Sequence, residues 1–112
     1  MAILSANYAN INHDEMADAI GLKAKHIPML IASFLDESVS ILAALDEAIS
    51  ANNFLEIKER AHAIKGSAGN LRFNEVYEMA KDMEFAGAES NSDFDYSGHL
   101  EAIKSAIATV SN

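Results

Sequence analysis

Apolar residues recur every three or four positions along most of the chain, which predicts an all-α fold. The clearest segment runs from residue 54 to residue 71, where the apolar positions step by three, four, three, four and three. This spacing is typical of a helix that buries one face in a bundle. No segment sustains the alternation of apolar and polar residues that a strand requires. The apolar positions of the segment are Phe54, Ile57, Ala61, Ile64, Ala68 and Leu71.

Signals for helix starts and short connections between helices indicate how the helices are arranged. Asn12 and Asn53 each stand where an N-cap is expected, with a glutamate three residues on, which is the spacing of a capping box. Pro28 fits only in the first turn of its helix. Short connections favour antiparallel neighbours, so we expect a single domain over residues 1–112, an antiparallel up-down four-helix bundle with a short additional N-terminal helix. The bundle helices are predicted over about residues 26–51, 54–70, 73–87 and 94–110, and the short helix over about 13–20.

Composition narrows the class of protein. The net charge is −9, from 17 acidic and 8 basic residues, so the chain should be repelled by nucleic acid and by anionic membranes. It has no cysteine, which excludes disulfides and thiolate metal sites and suits the cytoplasm. The first residues do not resemble a signal peptide, and no apolar run approaches the roughly 18 residues of a membrane span. We expect a cytoplasmic monomer that binds neither nucleic acid nor membrane.

One face of the third predicted helix carries an unusual set of residues around His62. His62 is one position past the apolar seam, so it lies about 100° around the helix from it, on the flank. Its neighbours three and four residues away are Lys58, Lys65 and Gly66, and Gly69 follows one turn further. Each glycine costs a helix interior roughly 1 kcal/mol relative to alanine. The glycines either leave the imidazole open to a partner protein or allow close packing of helices.

This face has the residue types that a phosphoryl acceptor needs. An imidazole is largely neutral at pH 7, so one ring nitrogen has a free lone pair for attack. A partner at the other nitrogen would fix the tautomer, and Glu84, at the edge of the next apolar stripe, is a candidate. Lys58 and Lys65 would offset phosphoryl charge. The same pattern also fits a solvated surface histidine, with Glu84 at the rim and Ser67 as a small packing residue.

The segment "AHAIKGSAGNLRF", residues 61–73, resembles the signature of histidine-containing phosphotransfer (HPt) domains. In that family an apolar residue, Lys-Gly, small residues and a leucine follow the histidine. The helices before and after the segment are also similar to those of the family, so the resemblance covers roughly residues 13–110. The matching positions here are His62, Ile64, Lys65, Gly66, Ser67, Ala68 and Leu71.

The resemblance implies a carrier in a multistep two-component phosphorelay. His62 would accept a phosphoryl group at Nε2 from an aspartyl phosphate on one receiver domain and pass it to the aspartate of another. Lys65 would stabilise the phosphohistidine and Glu84 would bond the imidazole. The receivers would belong to response regulators or hybrid sensor kinases and would hold the required Mg²⁺. The chain itself would need no cofactor and would have no ATP-binding or autokinase activity.

The remaining predicted site residues define a docking surface, with one departure from the family. We expect receivers to contact Lys58, Gly66, Ser67, Gly69 and Arg72, together with apolar residues of the adjoining helices. Arg72 stands where the family commonly has glycine after the leucine. If this position needs a positive φ, arginine costs on the order of 1 kcal/mol. Arg72 also adds positive charge near the docking surface.

Three other classes of protein have to be compared with this pattern. The dimerisation helices of a histidine kinase normally have an acidic residue after the histidine and a proline soon after, whereas Ala63 follows here and no proline does. A metalloprotein lacks support, because His13, His26 and His99 belong to no recognised ligand motif and are expected to be surface or cap residues. A helical binding module that sequesters a receiver domain without phosphotransfer remains open.

Overall fold

Five α-helices form the regular structure of residues 3–111, the part of the chain that this computed structural model describes, and no strand occurs there. The prediction of an all-α fold is confirmed. A single turn of 3₁₀-helix, Ala24–His26, leads into the second helix, which begins just before Pro28. Helix starts and ends differ from the predicted ones by at most two residues. The helices are α1 (His13–Ile20), α2 (Ile27–Ser50), α3 (Phe54–Asn70), α4 (Asn74–Ala88) and α5 (Tyr96–Ala108).

The four long helices pack in a closed ring around one core. Helix α3 makes its most extensive contact with α4 and a smaller one with α2, while α5 contacts both α4 and α2. Helix α1 lies against α2 and the turn before it. The antiparallel up-down order stays a prediction from the short loops. The largest fully buried side chains are Phe73, Ile27, Ile31, Leu45, Ile57, Ile64, Met79, Met83, Ile103 and Val76.

A residue with left-handed backbone ends each of the first four α-helices. After α3 this residue is Arg72, with φ of 63°. Its N–H donates to the Gly69 carbonyl at 3.2 Å, and the N–H of Phe73 donates to the Ala68 carbonyl at 3.0 Å, which is a Schellman ending. Position 72 therefore does need the positive φ that the sequence analysis named as the source of strain. Arginine bears a strain of about 1 kcal/mol there, where glycine would bear little. The equivalent residues are Gly21, Asn52 and Ser90.

The residues before α1 form a strap across the ends of α4 and α5, which the sequence pattern did not predict. The Tyr8 hydroxyl donates to Oε1 of Glu75 at 2.8 Å, and the Tyr8 N–H donates to the hydroxyl of Thr109 at 2.8 Å. The Tyr8 ring also lies 4.5 Å, centroid to centroid, from the ring of Phe73. Burial, and then the hydrogen bond to Glu75, raise the pKa of Tyr8 well above its ordinary value.

The prediction for His99 was wrong. His99 is only 3% exposed, because it lies three residues after Tyr96 on the face of α5 that enters the core. Its Nδ1 lies 2.9 Å from the Asp95 carbonyl oxygen, and its ring is 4.3 Å from that of Phe94, centroid to centroid. Nδ1 therefore donates to the N-cap carbonyl, whereas Nε2 is buried without a hydrogen-bond partner among the described residues.

The premise that no segment is apolar over a membrane-spanning length was also wrong. The helical segment Ala24–Ser50 has a mean hydropathy of 1.6 and is long and apolar enough to cross a membrane by length and composition. A core helix of a soluble protein passes the same test. Helix α2 directs a stripe of six residues into the core, which accounts for part of this hydropathy. The stripe consists of Ile27, Ile31, Phe34, Ser38, Leu45 and Ala48.

Candidate functional site

His62 lies on the flank of α3, next to α4, with 67% of its side chain exposed. The seam residues of α3 on either side of it, Ala61 and Ile64, are fully buried. The position therefore follows from the helical repeat, since one residue past the seam lies about 100° away from it. Nδ1 of His62 lies 3.0 Å from Oε2 of Glu84 on α4. Within residues 3–111 no hydrogen bond engages Nε2.

Glu84 connects the histidine to a lysine. Only 13% of its side chain is exposed, and its second oxygen, Oε1, lies 2.7 Å from Nζ of Lys65, within ion-pair range. Lys65 is itself 19% exposed. Burial alone would raise the pKa of Glu84, but the contacts with Lys65 and His62 outweigh it and hold that pKa below its ordinary value. The carboxylate is thus ionised at neutral pH.

This arrangement fixes the tautomer of the imidazole. An ionised carboxylate has no proton and can only accept, so Nδ1 of His62 must be the donor toward Glu84. In the neutral ring the lone pair is then on Nε2, the nitrogen without a protein partner. An exposed nitrogen with a free lone pair and a fixed ring orientation has the geometry of a nucleophile toward a group brought by another molecule.

The glycines near His62 have different structural reasons. A side chain at Gly66 would meet nothing within 4 Å, so no packing contact requires glycine there. A Cβ at Gly69 would lie 3.1 Å from the ring of Tyr77, which packs across α3 at that point. The sequence left open whether the two glycines serve access or packing. The packing explanation applies to Gly69, while Gly66 leaves the surface beside His62 open.

The other predicted site residues lie at different places around α3. The exposed side chain of Lys58 forms no ion pair with the residues that the structure describes and lies one turn before His62. Ser67 is on the α2 side of the helix, where its hydroxyl donates to Oε2 of Glu37 at 3.4 Å. The guanidinium of Arg72 donates to the carbonyl oxygens of Gly69 and Ala19, at 3.2 and 3.3 Å, and so joins the C-terminal ends of α3 and α1.

Sequence reasoning missed Gly87, which positions the site indirectly. It was predicted to end α4, but the helix continues to Ala88. A Cβ at Gly87 would lie 3.1 Å from the backbone nitrogen of Lys58 and 3.1 Å from the carbonyl oxygen of Phe54. This glycine lets α4 approach α3 closely in the region where Glu84 reaches His62. The sequence feature that could have revealed this packing role is the position of Gly87 in the apolar stripe of α4, four residues after Met83.

Comparison with protein families identifies a match over the region that holds the site. The family model of the Hpt domain matches residues 29–112, which is three quarters of the chain and includes α3 and α4 entirely. Searches of curated proteins and of solved structures found no match. Over residues 3–111 no group of three or more histidine, cysteine, aspartate or glutamate side chains is arranged to hold a metal ion.

Proposed function

Since the chain belongs to the Hpt domain family, we propose that it carries a phosphoryl group on His62 between receiver domains of a phosphorelay. Hpt domains serve histidine phosphotransfer in phosphorelays, as phosphoryl carriers rather than catalysts. The observation that carries the assignment to this residue is the contact of 3.0 Å between Nδ1 of His62 and Glu84, which leaves Nε2 exposed and free.

The transfer step requires only the imidazole of this chain and the phosphorylated aspartate of the receiver. Nε2 of His62 attacks the phosphorus of the aspartyl phosphate and forms the nitrogen–phosphorus bond. The bond from phosphorus to the aspartate oxygen breaks, and its electron pair stays on the aspartate carboxylate. Transfer to the next receiver is the reverse exchange, with an aspartate oxygen attacking and Nε2 leaving. The Mg²⁺ that the exchange needs is expected on the receiver domain.

Glu84 and the two lysines match the charges that develop in this step. The phosphorylated ring keeps its proton on Nδ1 and is therefore cationic, and the Glu84 carboxylate beside that proton stabilises it. The phosphoryl oxygens are anionic and lie on the other side of the ring. Lys58 is free to approach them. Lys65 would have to exchange part of its contact with Glu84 for a contact with the phosphoryl group.

The partner is a receiver domain that covers the α3 face around His62. Gly66 keeps this face open, since its position contacts nothing within 4 Å. Lys58, Gly66 and Gly69 would lie in the contact, with His62 near its centre. Ser67 is directed toward α2 instead, so we assign it a packing role in α3 rather than a direct contact. We further propose that the chain acts without ATP and without a cofactor of its own.

Phosphotransfer from a charged receiver tests the proposal. A receiver domain labelled on its aspartate by a kinase would be mixed with the wild-type chain, with His62→Gln and with His26→Gln. The last variant is a matched control, because His26 is another exposed histidine. We expect acid-labile, alkali-stable label on the wild type and on His26→Gln, and none on His62→Gln.

Two results would contradict this function. Label on His62→Gln would show that another residue accepts the group. Binding of a receiver without transfer, over a panel of charged receiver domains, would instead favour a module that sequesters receivers. The binding and the transfer are therefore measured on the same samples.

A further inference from the structure

A polar concavity of about 440 Å³ adjoins the His62 face on its C-terminal side. It lies between the last turns of α3 and the first turn of α4, and the two glycines of α3 line its wall. Its side chains are those of Lys65, Asn70, Arg72, Asn74 and Tyr77. None of the residues that line it is an aspartate or a glutamate, although the chain as a whole has a net charge of −9.

The polar groups of this concavity are available to a ligand. Among the described residues, the side chains of Asn70, Asn74 and Tyr77 make no hydrogen bonds. Arg72 donates only to neutral carbonyl oxygens, so its full charge is not cancelled by a carboxylate. Lys65 is paired with Glu84 and contributes less. The concavity thus offers two cations and three neutral groups without hydrogen-bond partners, and it contains no acid. Such a set of groups is suited to bind a carboxylate.

The position of the concavity relative to His62 identifies what would fill it. Gly69, in its wall, lies seven residues after His62, which is about 10 Å along the helix axis. A standard interface covers about 800 Å² on each partner, a patch with a radius of roughly 16 Å. A protein that brings its aspartyl phosphate to His62 therefore also covers the concavity.

We propose that this concavity binds an acidic side chain of the docked receiver domain and thereby contributes to the choice of receiver. The proposal rests on the proposed function, since it takes a receiver at His62 as the partner. The receiver carboxylate would accept hydrogen bonds from the amides of Asn70 and Asn74 and from the Tyr77 hydroxyl, in the field of Arg72. Because like charges across an interface are unfavourable, receivers without an acid at this place, or with a base there, would bind less tightly.

Charge substitutions at Asn74 test the proposal without harming the fold. Asn74 is the exposed first residue of α4, and an acid there is favourable for a helix N-terminus. Ser97 is a matched control, since it is an exposed residue in the first turn of α5, a helix that packs against α4 and α2. The dissociation constant of the tightest-binding receiver from a purified panel would be measured for the wild type and for Asn74→Asp, Asn74→Lys, Ser97→Asp and Ser97→Lys.

We expect Asn74→Asp to weaken binding by roughly tenfold and Asn74→Lys to tighten it, with much smaller changes at Ser97. Opposite signs for the two Asn74 variants cannot arise from loss of folding. Replacing the receiver's acids one at a time by asparagine should identify one whose replacement abolishes the effect of Asn74→Asp.

Other results would overturn the proposal. The proposal fails if substitutions at the two positions change the dissociation constant equally, or if Asn74→Asp binds the receiver more tightly. Either result leaves receiver binding and transfer to His62, and hence the proposed function, intact. If the wild-type chain neither binds any receiver nor accepts label from one, the proposed function fails, and the acidic-side-chain proposal fails with it.

Discussion

Alanine substitutions at Gly66 and at Gly87 should change the stability of the protein in opposite directions. Both glycines are inside helices, so each substitution gains up to about 1 kcal/mol in helix propensity. At Gly66 the added methyl group meets nothing within 4 Å, and the gain is not opposed. We therefore expect Gly66→Ala to raise the free energy of unfolding by about 1 kcal/mol.

At Gly87 the same methyl group has no room. It would lie 3.1 Å from the backbone nitrogen of Lys58 and from the carbonyl oxygen of Phe54, and 3.3 Å from Cγ2 of Ile57. Backbone atoms of α3 cannot move aside unless the two helices separate, and overpacking of this kind costs about 1–3 kcal/mol. Subtracting a propensity gain of about 1 kcal/mol leaves a net loss of up to about 2 kcal/mol.

Urea and thermal unfolding of the two variants and the wild type would measure these changes. For a domain of this size, 1 kcal/mol corresponds to a shift of about 4 °C or more in the melting temperature. Gly69→Ala should fall between the two variants, because the Tyr77 ring that it meets is a side chain and can yield. If Gly87→Ala were as stable as Gly66→Ala, the close approach of α4 to α3 would not constrain this position and the reasoning would be refuted.

Four further predictions follow from the described contacts. Gly66→Gln should leave the fold intact but slow transfer from a receiver, and unchanged rates would exclude Gly66 from the docking surface. In urea unfolding, Arg72→Gly should be about 1 kcal/mol more stable than Arg72→Ala, because both variants lose the guanidinium and only alanine is strained in the left-handed conformation. Equal stability of the two variants would exclude that strain. The low pKa of Glu84 means that its carboxylate stabilises the fold above the ordinary glutamate pKa of about 4.3, and that this contribution is lost as the pH falls through the lower folded value. The difference in unfolding free energy between wild type and Glu84→Gln should thus shrink as the pH falls below about 4, and a difference that stays unchanged over this acidic range would contradict the prediction. Tyr8→Phe should lower the unfolding free energy by about 1 kcal/mol through loss of the hydrogen bond to Glu75, measured by thermal unfolding, and an unchanged melting temperature would contradict this.

The helices could be predicted from the sequence because each long helix buries a stripe that repeats every three or four residues. The same repeat brought Glu84 into consideration, since it places the residue at the edge of the α4 stripe, beside the flank that carries His62. Periodicity therefore specifies which residues share a face, and neighbouring faces follow when the connections are short.

Features that depend on the distance between elements could not be predicted in this way. Gly66 and Gly69 look equivalent in the sequence, and only the position of Tyr77 separates their roles. Gly87 resembles a helix end because glycine is common there, yet its reason is the approach of another backbone. The strap at Tyr8 has no repeat at all, because its contacts are with the distant ends of α4 and α5.

The contact between α3 and α4 has a consequence for how the protein folds. It is the most extensive contact between helices, and only residues 71–73 connect the two. Closing so short a loop costs little chain entropy, so local helix pairs of this kind form early and fold quickly. The hairpin of α3 and α4 contains His62, Lys65 and Glu84, and it should be the folding nucleus. Gly87→Ala, at the end of this hairpin opposite the turn, should then mainly slow folding and leave the unfolding rate almost unchanged.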